Sequence, residues 1–207
     1  MTARINHSYH SFSKQQVKGS LRDLPTNTTL TEAAPKPSLH LVSQEGQLQV
    51  HTTTYRGSFS VVLSEALRAA GLGSRVMVVQ FLKGGVHQGP EGSTWLCGRL
   101  EWLRPAISEC LPQSIPNTEK YSPLESSRQA ILEIWQTCKE YLLKGGLDQL
   151  VLDEIGLAIA LGYIPEAEVL ATLEKRPGYM DVILTGPSIP SPIMDMADQI
   201  TELRCGF

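Results

Sequence analysis

The sequence predicts an α/β fold with a mostly parallel sheet flanked by helices, preceded by a flexible N-terminal arm. Segments typical of strands alternate with segments typical of helices from Gly46 onward. Residues 75–81 and 181–185 are nearly continuous apolar runs, which suit strands buried on both faces. Because this alternation requires right-handed crossovers between strands, it favours a largely parallel sheet.

The arm comprises residues 1–45, and the domain comprises residues 46–207. The arm is rich in Ser, Thr, Asn and Gln, and its apolar residues show no period. Such a segment buries too little apolar surface to offset the entropy of ordering, so we predict that it is disordered. The alternative is that the arm binds a protein partner.

The charge, apolar runs and cysteines of the chain indicate which partners and which kinds of site to expect. The 207 residues carry a formal net charge of −3, which gives no electrostatic reason to expect nucleic acid or an anionic membrane as a partner. No apolar run approaches the roughly 20 residues of a membrane span, and the first residues lack the apolar core of a secretory signal. The cysteines form no CxxC pair, so we predict free thiols in a reducing cytoplasm rather than a disulfide or metal site.

The first strand, turn and helix of the domain are where a phosphate site is expected. Residues 48–51 alternate in polarity, which is typical of a strand. Apolar residues then recur at helical spacing from Ser60 until Gly71 and Gly73 end the helix. The turn between them lies at the carboxyl edge of a parallel sheet, where the free N–H groups of the helix favour an anion.

The middle of the domain contains two more predicted strands, a long loop and a long helix. The strand at residues 75–81 ends in a glycine-rich loop, and residues 96–103 form the next strand. Repeated prolines mark residues 105–122 as an irregular loop. Ser122 as N-cap and Pro123 at the first helical position then begin an amphipathic helix.

The last third of the domain continues the alternation. Residues 148–154 form a strand that ends in Asp153 and Glu154, and a short helix follows. Pro165 begins another helix. The remaining predicted elements are a strand at 181–185, a short helix at 192–197 and a last strand at 199–203.

An apolar strand that ends in Asp-Glu is typical of the second motif of nucleotide-binding sites. Asp153 would hold Mg²⁺ through its oxygen atoms, and Glu154 would orient water or bind the metal. The alternative is that both are ordinary helix-start residues, which are common at the ends of strands.

The turn at residues 53–60 lacks the sequence of a phosphate loop. In GxxxxGK[ST], glycines allow positive φ and close backbone approach, while the Lys and the hydroxyl reach phosphate and Mg²⁺. Of these positions only Gly57 matches. With Gly57 as the second Gly, Ser58 stands in place of the Lys and Phe59 in place of the hydroxyl residue.

Short blocks along the domain nevertheless occur in the order of a known family. They are ALRA at 66–69 with Gly71, VVQFLKG at 78–84, LVLDE at 150–154, RPG at 176–178, LTG at 184–186, AD at 197–198 and EL at 202–203. Through these blocks, residues 49–203 resemble the corrinoid adenosyltransferases of the cobalamin pathway, the ATP:cob(I)alamin type with a phosphate loop. The resemblance implies a P-loop NTPase-like (RecA-like) fold.

The resemblance also implies ligands and site residues. The family transfers the adenosyl group of ATP to the reduced cobalt of a corrinoid and releases triphosphate, so ATP, Mg²⁺ and a corrinoid are the expected ligands. By position, Asp153 and Glu154 would bind the metal. The nucleotide or corrinoid would be contacted by Thr53, Thr54, Arg56, Gly57, Ser58 and Ser60 in the turn and by Lys83 in the glycine-rich loop.

The departures from the family pattern lie where the phosphates would bind. Ser58 and Phe59 remove a cation and a hydroxyl, and Pro187 stands where the family's TGR has an Arg. Hydrogen bonds to charged groups contribute about 1.5–3 kcal/mol each, so losing two would weaken triphosphate binding on the order of 10²- to 10⁴-fold. Arg56 either compensates through forked phosphate contacts or is a solvated loop residue.

Three functions follow from this sequence. The first is a pseudoenzyme with weakened or lost ATP binding, which regulates, holds a corrinoid, or acts as a subunit in a homodimer or with a protein partner. The second is an active ATP:corrinoid adenosyltransferase of cobalamin biosynthesis or salvage, favoured by Asp153 and Glu154. The third is an interaction module that uses the arm.

Overall fold

The computed structural model describes residues 45–57, 59–85, 88–111 and 125–204. In these residues the chain forms seven strands and five α-helices. The strands are β1 (Leu48–Thr53), β2 (Val76–Gln80), β3 (Thr94–Leu96), β4 (Leu100–Leu103), β5 (Gln149–Asp153), β6 (Asp181–Thr185) and β7 (Gln199–Leu203). The helices are α1 (Ser60–Gly71), α2 (Glu125–Lys144), α3 (Ile155–Ala160), α4 (Glu166–Leu173) and α5 (Ser191–Met196), and a 3₁₀ turn spans Pro90–Gly92.

The strands form one sheet in the order β3-β4-β2-β5-β6-β1-β7. Every neighbouring pair is parallel except β3 and β4, which are antiparallel. The predicted α/β fold with a mostly parallel sheet is therefore confirmed. Because the strands run the same way, the loops after β1, β2, β4, β5 and β6 all leave from one edge of the sheet.

Two apolar cores lie on opposite faces of the sheet. On one face α1 packs through Val62, Ala66 and Ala70 against alternate residues of the central strands. On the other face α2 to α5 enclose a larger core that includes Trp135 and Cys138, both buried. Alternate residues of β2 face each core, which is why its sequence is apolar without a period.

The segment at residues 96–103, predicted as a single strand, is instead a hairpin. Strand β3 turns back through Cys97 and Gly98, which have φ values of 52° and 69°, and β4 returns beside it. The prediction was wrong because a non-glycine residue at positive φ is uncommon, so the sequence CG between two strands is a weak turn signal.

Some predictions fall on residues that the structure does not describe, and others can be compared with it. The arm and the proposed N-cap at Ser122 and Pro123 lie outside the described residues, in which α2 begins at Glu125. Cys97, Cys110 and Cys138 carry free thiols, as predicted. In the part of the chain that the structure describes, no helix is long and apolar enough to cross a membrane.

Candidate functional site

Four parallel strands end in a row of neighbouring residues at the carboxyl edge. Gln80 of β2 pairs in register with Asp153 of β5. Asp153 in turn pairs with Thr185 of β6, and Thr185 pairs with His51 of β1. Gln80, Asp153 and Thr185 are all nearly inaccessible to solvent, so this row forms a buried polar floor under the loops of that edge.

Asp153 is held by three side-chain donors. The hydroxyl of Thr185 donates to Oδ1 at 2.5 Å, and Gln80 Nε2 and Lys83 Nζ donate to Oδ2 at 2.7 and 2.9 Å. Burying a carboxylate costs free energy unless it is paired and hydrogen-bonded. The ammonium group of Lys83, from the glycine-rich loop after β2, supplies the balancing charge.

Glu154 is paired with Arg56, from the turn that follows β1. Arg56 Nε and Nη2 donate to Oε1 and Oε2 of Glu154 at 2.6 and 2.8 Å, a forked geometry that only Arg provides. The Glu154 side chain is 1% exposed and that of Arg56 is 19% exposed. The hydrogen bond to Glu154 raises the pKa of the Arg56 guanidinium above its ordinary value.

Arg56 also binds the backbone of two other loops. Its Nη2 donates to the carbonyl of Leu82 at 3.1 Å, and its Nη1 donates to the carbonyl of Leu111. The guanidinium group therefore joins the turn after β1 to the loops after β2 and β4. The alternative that Arg56 is a solvated loop residue is wrong, because this partly buried side chain makes hydrogen bonds to Glu154, Leu82 and Leu111.

The backbone of Glu154 has an unusual conformation. Its φ and ψ are 64° and 24°, in the left-handed region, and it is the N-cap of α3 without a side-chain capping hydrogen bond. The alternative that it is an ordinary helix-start residue is therefore wrong for its side chain, which faces Arg56. Gly186 makes room for this conformation, since a Cβ there would lie 3.0 Å from Glu154 Cα. Such strain costs on the order of 1–3 kcal/mol and is concentrated at functional sites.

The other residues predicted to contact the ligand are less buried where the structure describes them. Thr53 is the last residue of β1, and Thr54 and Gly57 are exposed. Ser60 is the exposed first residue of α1. Ser58 lies outside the described residues. The phosphate-binding roles of Thr53, Thr54, Gly57, Ser58 and Ser60 stay predictions.

In this arrangement the two predicted Mg²⁺ ligands are engaged in ion pairs with Lys83 and Arg56. Phe59, in the position of the metal-binding hydroxyl, is 4% exposed and belongs to the core beneath α1. Both oxygens of Asp153 and both of Glu154 already accept hydrogen bonds. No group of three or more His, Cys, Asp and Glu side chains in the described part of the chain could hold a metal. Ligation by Asp153 and Glu154 stays a prediction that would require Lys83 or Arg56 to move.

Sequence reasoning missed the polar residues that orient Asp153 from the side of β4. Gln80 Oε1 accepts hydrogen bonds from Trp102 Nε1 at 3.0 Å and from Arg104 Nε at 2.8 Å. With its oxygen occupied by two donors, the amide turns its nitrogen toward Asp153. The sign of these contacts in the sequence was Gln80, a single polar residue at the end of the otherwise apolar strand β2.

Comparison with known proteins decides the family. Residues 44–206 match the family model described as ATP:corrinoid adenosyltransferase BtuR/CobO/CobP, which covers most of the chain. The chain belongs to the corrinoid adenosyltransferase family. The predicted resemblance is thereby confirmed.

Individual family members agree with this assignment. The corrinoid adenosyltransferase CobA of Salmonella typhimurium is 34% identical over 161 residues, which are 78% of each chain. A corrinoid adenosyltransferase of Escherichia coli K12 has the same identity and coverage. Another, from Pseudomonas aeruginosa, is 27% identical over 167 residues, covering 77% of this chain and 75% of the relative. The family acts on ATP and a corrinoid, so the carboxyl edge with Asp153 and Glu154 is the candidate site for both.

Proposed function

We propose that this chain is a corrinoid-binding member of the family, acting in the cytoplasm, in which ATP binding and adenosyl transfer are weakened or lost. The observation that carries this proposal is the forked ion pair between Arg56 and Glu154. It places the cation of the degenerate phosphate loop on a protein carboxylate rather than leaving it for a phosphate.

The charge balance of the site supports weak triphosphate binding. Arg56 and Lys83 are each balanced by a buried carboxylate, Glu154 and Asp153. If Arg56 left Glu154 for a phosphate, it would leave a buried carboxylate without a partner, and breaking a buried pair costs about 3–5 kcal/mol. That cost comes in addition to the missing Lys and hydroxyl at positions 58 and 59.

Corrinoid binding is the part of the family function that these departures affect least. Two of the three departures, Ser58 and Phe59, lie in the turn between β1 and α1, where the family binds the nucleotide, and the third, Pro187, follows β6. A member that binds a corrinoid without efficient transfer would act by holding or delivering it, alone, as a homodimer or with a protein partner.

An active adenosyltransferase is the second candidate, favoured by the position of Lys83. Its Nζ lies 2.9 Å from Asp153, and its side chain is 22% exposed, so a small movement would bring it to a phosphate. In that case ATP, Mg²⁺ and corrinoid are all substrates or cofactors, and Arg56 exchanges Glu154 for the triphosphate.

One pair of assays separates the two candidates. Corrinoid binding is followed by absorbance under reducing, oxygen-free conditions, and adenosylcorrinoid formation is then followed after adding Mg-ATP, with the Escherichia coli relative as the positive control. We expect saturable corrinoid binding and transfer at least about 100-fold slower than in the control, from the hydrogen bonds lost. Transfer as fast as in the control would refute the proposal.

A restoring variant adds a second test. Ser58→Lys returns the missing loop cation, whereas replacing Phe59 with Thr would remove a buried ring and cost about 3–5 kcal/mol. Under the proposal, Ser58→Lys alone does not restore family-like transfer, because Glu154 still holds Arg56 in the site. Recovery of full transfer would instead favour an enzyme that is only weakened.

A further inference from the structure

Three cationic side chains lie at the carboxyl edge of the sheet, and one of them differs from the others. Arg56 and Lys83 each form an ion pair with a buried carboxylate. Arg104, which directly follows β4, forms no ion pair with any carboxylate among the described residues. Its charge is therefore left uncompensated beside the row that contains Asp153.

Arg104 is nevertheless held in a defined position. Its Nε donates to Gln80 Oε1 at 2.8 Å, and its Cζ lies 5.7 Å from the centre of the Trp102 ring. Its carbonyl accepts the N–H of Gly89 at 2.9 Å, which ties the glycine-rich loop to the end of β4. A cation stacked on an indole ring and fixed through one nitrogen has lost much of the freedom of a surface arginine.

Most of the hydrogen-bonding capacity of Arg104 remains unused within the described residues. A guanidinium group carries five N–H donors, and here Nε alone makes a hydrogen bond. The two terminal nitrogens present the flat, two-pronged edge that matches the oxygens of phosphate. The contacts with Gln80 and Trp102 thus use Nε and one face of the group, and within the described residues both terminal nitrogens are without a hydrogen bond.

We propose that Arg104 is the anion-binding residue of this site and takes a phosphate group of the bound ligand. This inference rests on the proposed function only in placing the ligand at the carboxyl edge. The phosphate has two possible sources with the same chemistry, namely a nucleotide or the phosphodiester of a complete corrinoid. In either case the anion binds at β4 and β2, on the side of the row away from β1.

Arg99 offers a matched control for this proposal. It directly precedes β4, is exposed, and lies at the opposite edge of the sheet. Arg99→Gln and Arg104→Gln therefore remove the same charge from the two ends of one strand. Arg104→Lys keeps the charge but loses the forked edge.

Three probes distinguish the source of the phosphate. They are inorganic tripolyphosphate, cobalamin, which has a phosphodiester, and cobinamide, which lacks it, each titrated against the full chain and the three variants. We expect Arg104→Gln to weaken binding of at least one phosphate-bearing probe about 10-fold or more, as for the loss of a charged hydrogen bond. Arg104→Lys has an intermediate effect, and Arg99→Gln has none.

The pattern across the probes identifies the ligand. Weaker tripolyphosphate binding alone indicates a nucleotide phosphate, whereas weaker binding of cobalamin but not cobinamide indicates the corrinoid phosphodiester. Equal binding by Arg104→Gln and Arg99→Gln overturns the inference, as does the absence of measurable binding of both phosphate-bearing probes by the wild type. If Arg104→Gln does not fold, Arg104→Lys decides, since wild-type affinity in that variant contradicts a forked contact. None of these outcomes depends on the rate of adenosyl transfer, which tests the proposed function separately.

Discussion

At the scale of single residues, the site is organised by two buried carboxylates and the cations that balance them. Among the described residues Glu154 has Arg56 as its one charge partner, whereas Asp153 has Gln80 and Thr185 as well as Lys83. Glu154 is therefore the more sensitive of the two to the loss of its cation.

Replacing Arg56 with Met should destabilise the protein strongly. Glu154 would then be buried without its partner, and we expect a loss of about 3 kcal/mol in the free energy of unfolding, measured by urea denaturation. Arg68→Met is the matched control, because Arg68 forms an exposed pair with Glu65 on α1, and we expect a change of about 0.5 kcal/mol or less. Equal effects of the two changes would show that the Arg56 pair contributes no more than a surface pair.

The pH dependence of stability should contain a contribution from His51. Burial lowers the pKa of His51 below its ordinary value of 6.5. The folded state then binds fewer protons than the unfolded state in the window between the lowered pKa and 6.5. The contribution of His51 to the free energy of unfolding is therefore fully present above that window and is lost as the pH falls through it.

Replacing His51 with Gln removes this contribution. We expect the stability of His51→Gln to fall less than that of the wild type between about pH 7.5 and about pH 5. Urea denaturation at the two pH values measures the difference. An identical decline in both proteins would mean that His51 does not contribute.

At the scale of elements, the site depends on loops that pack closely against one another. The loop after β2 meets the loop after β4 at Gly84, where a Cβ would lie 2.2 Å from the carbonyl oxygen of Glu109. Leu111 also donates its N–H to the carbonyl of Leu82, which accepts Arg56 as well. The contact at Gly84 thus keeps in place two carbonyls that hold the guanidinium group.

Replacing Gly84 with Ala should separate these loops. We expect a loss of about 1–3 kcal/mol, because the clash involves backbone that cannot move aside cheaply. Gly71→Ala is the control, since a Cβ at Gly71 in the last turn of α1 meets nothing within 4 Å, and a helical Gly→Ala change is neutral or stabilising. Chemical denaturation of both variants compares them, and similar stability would contradict close packing at Gly84.

The elements also show what the sequence could reveal and what it could not. Apolar runs and glycine signals predicted β2, β5, β6 and the bounds of α1, because burial and helix ends leave patterns within one segment. The hairpin at Cys97 was missed because its turn sequence is a weak signal, whereas the contacts of Arg56 depend on residues far apart in the chain. Arg56 meets Glu154, 98 positions away, and a single sequence contains no local sign of such a pairing.

At the scale of the whole molecule, the fold and the family agree while the chemistry of the site departs from the family pattern. The parallel sheet brings Gln80, Asp153 and Thr185 together as strand order requires. The predicted site residues Arg56, Lys83, Asp153 and Glu154 do converge there, but as two internal ion pairs. This arrangement is the observation on which the proposed weakening of ATP binding rests.

The effect of ligands on the melting temperature of the full chain tests whether the site favours a corrinoid over ATP. A ligand that binds only the folded state stabilises it by about 2.7 kcal/mol at 100 times its Kd. We therefore expect a corrinoid to raise the melting temperature and Mg-ATP at equal concentration to leave it nearly unchanged. A larger shift with Mg-ATP than with the corrinoid would reverse the assignment of ligands.

Under the proposed function, Arg56 is bound to Glu154 and therefore does not bind ATP. Calorimetric titration of the wild type and Arg56→Met with Mg-ATP tests it most directly. We expect no saturable heat from the wild type below millimolar nucleotide, and no further loss in the variant. Micromolar binding by the wild type that Arg56→Met abolishes, in a variant shown to be folded, would mean that this arginine binds the triphosphate and would contradict the claim.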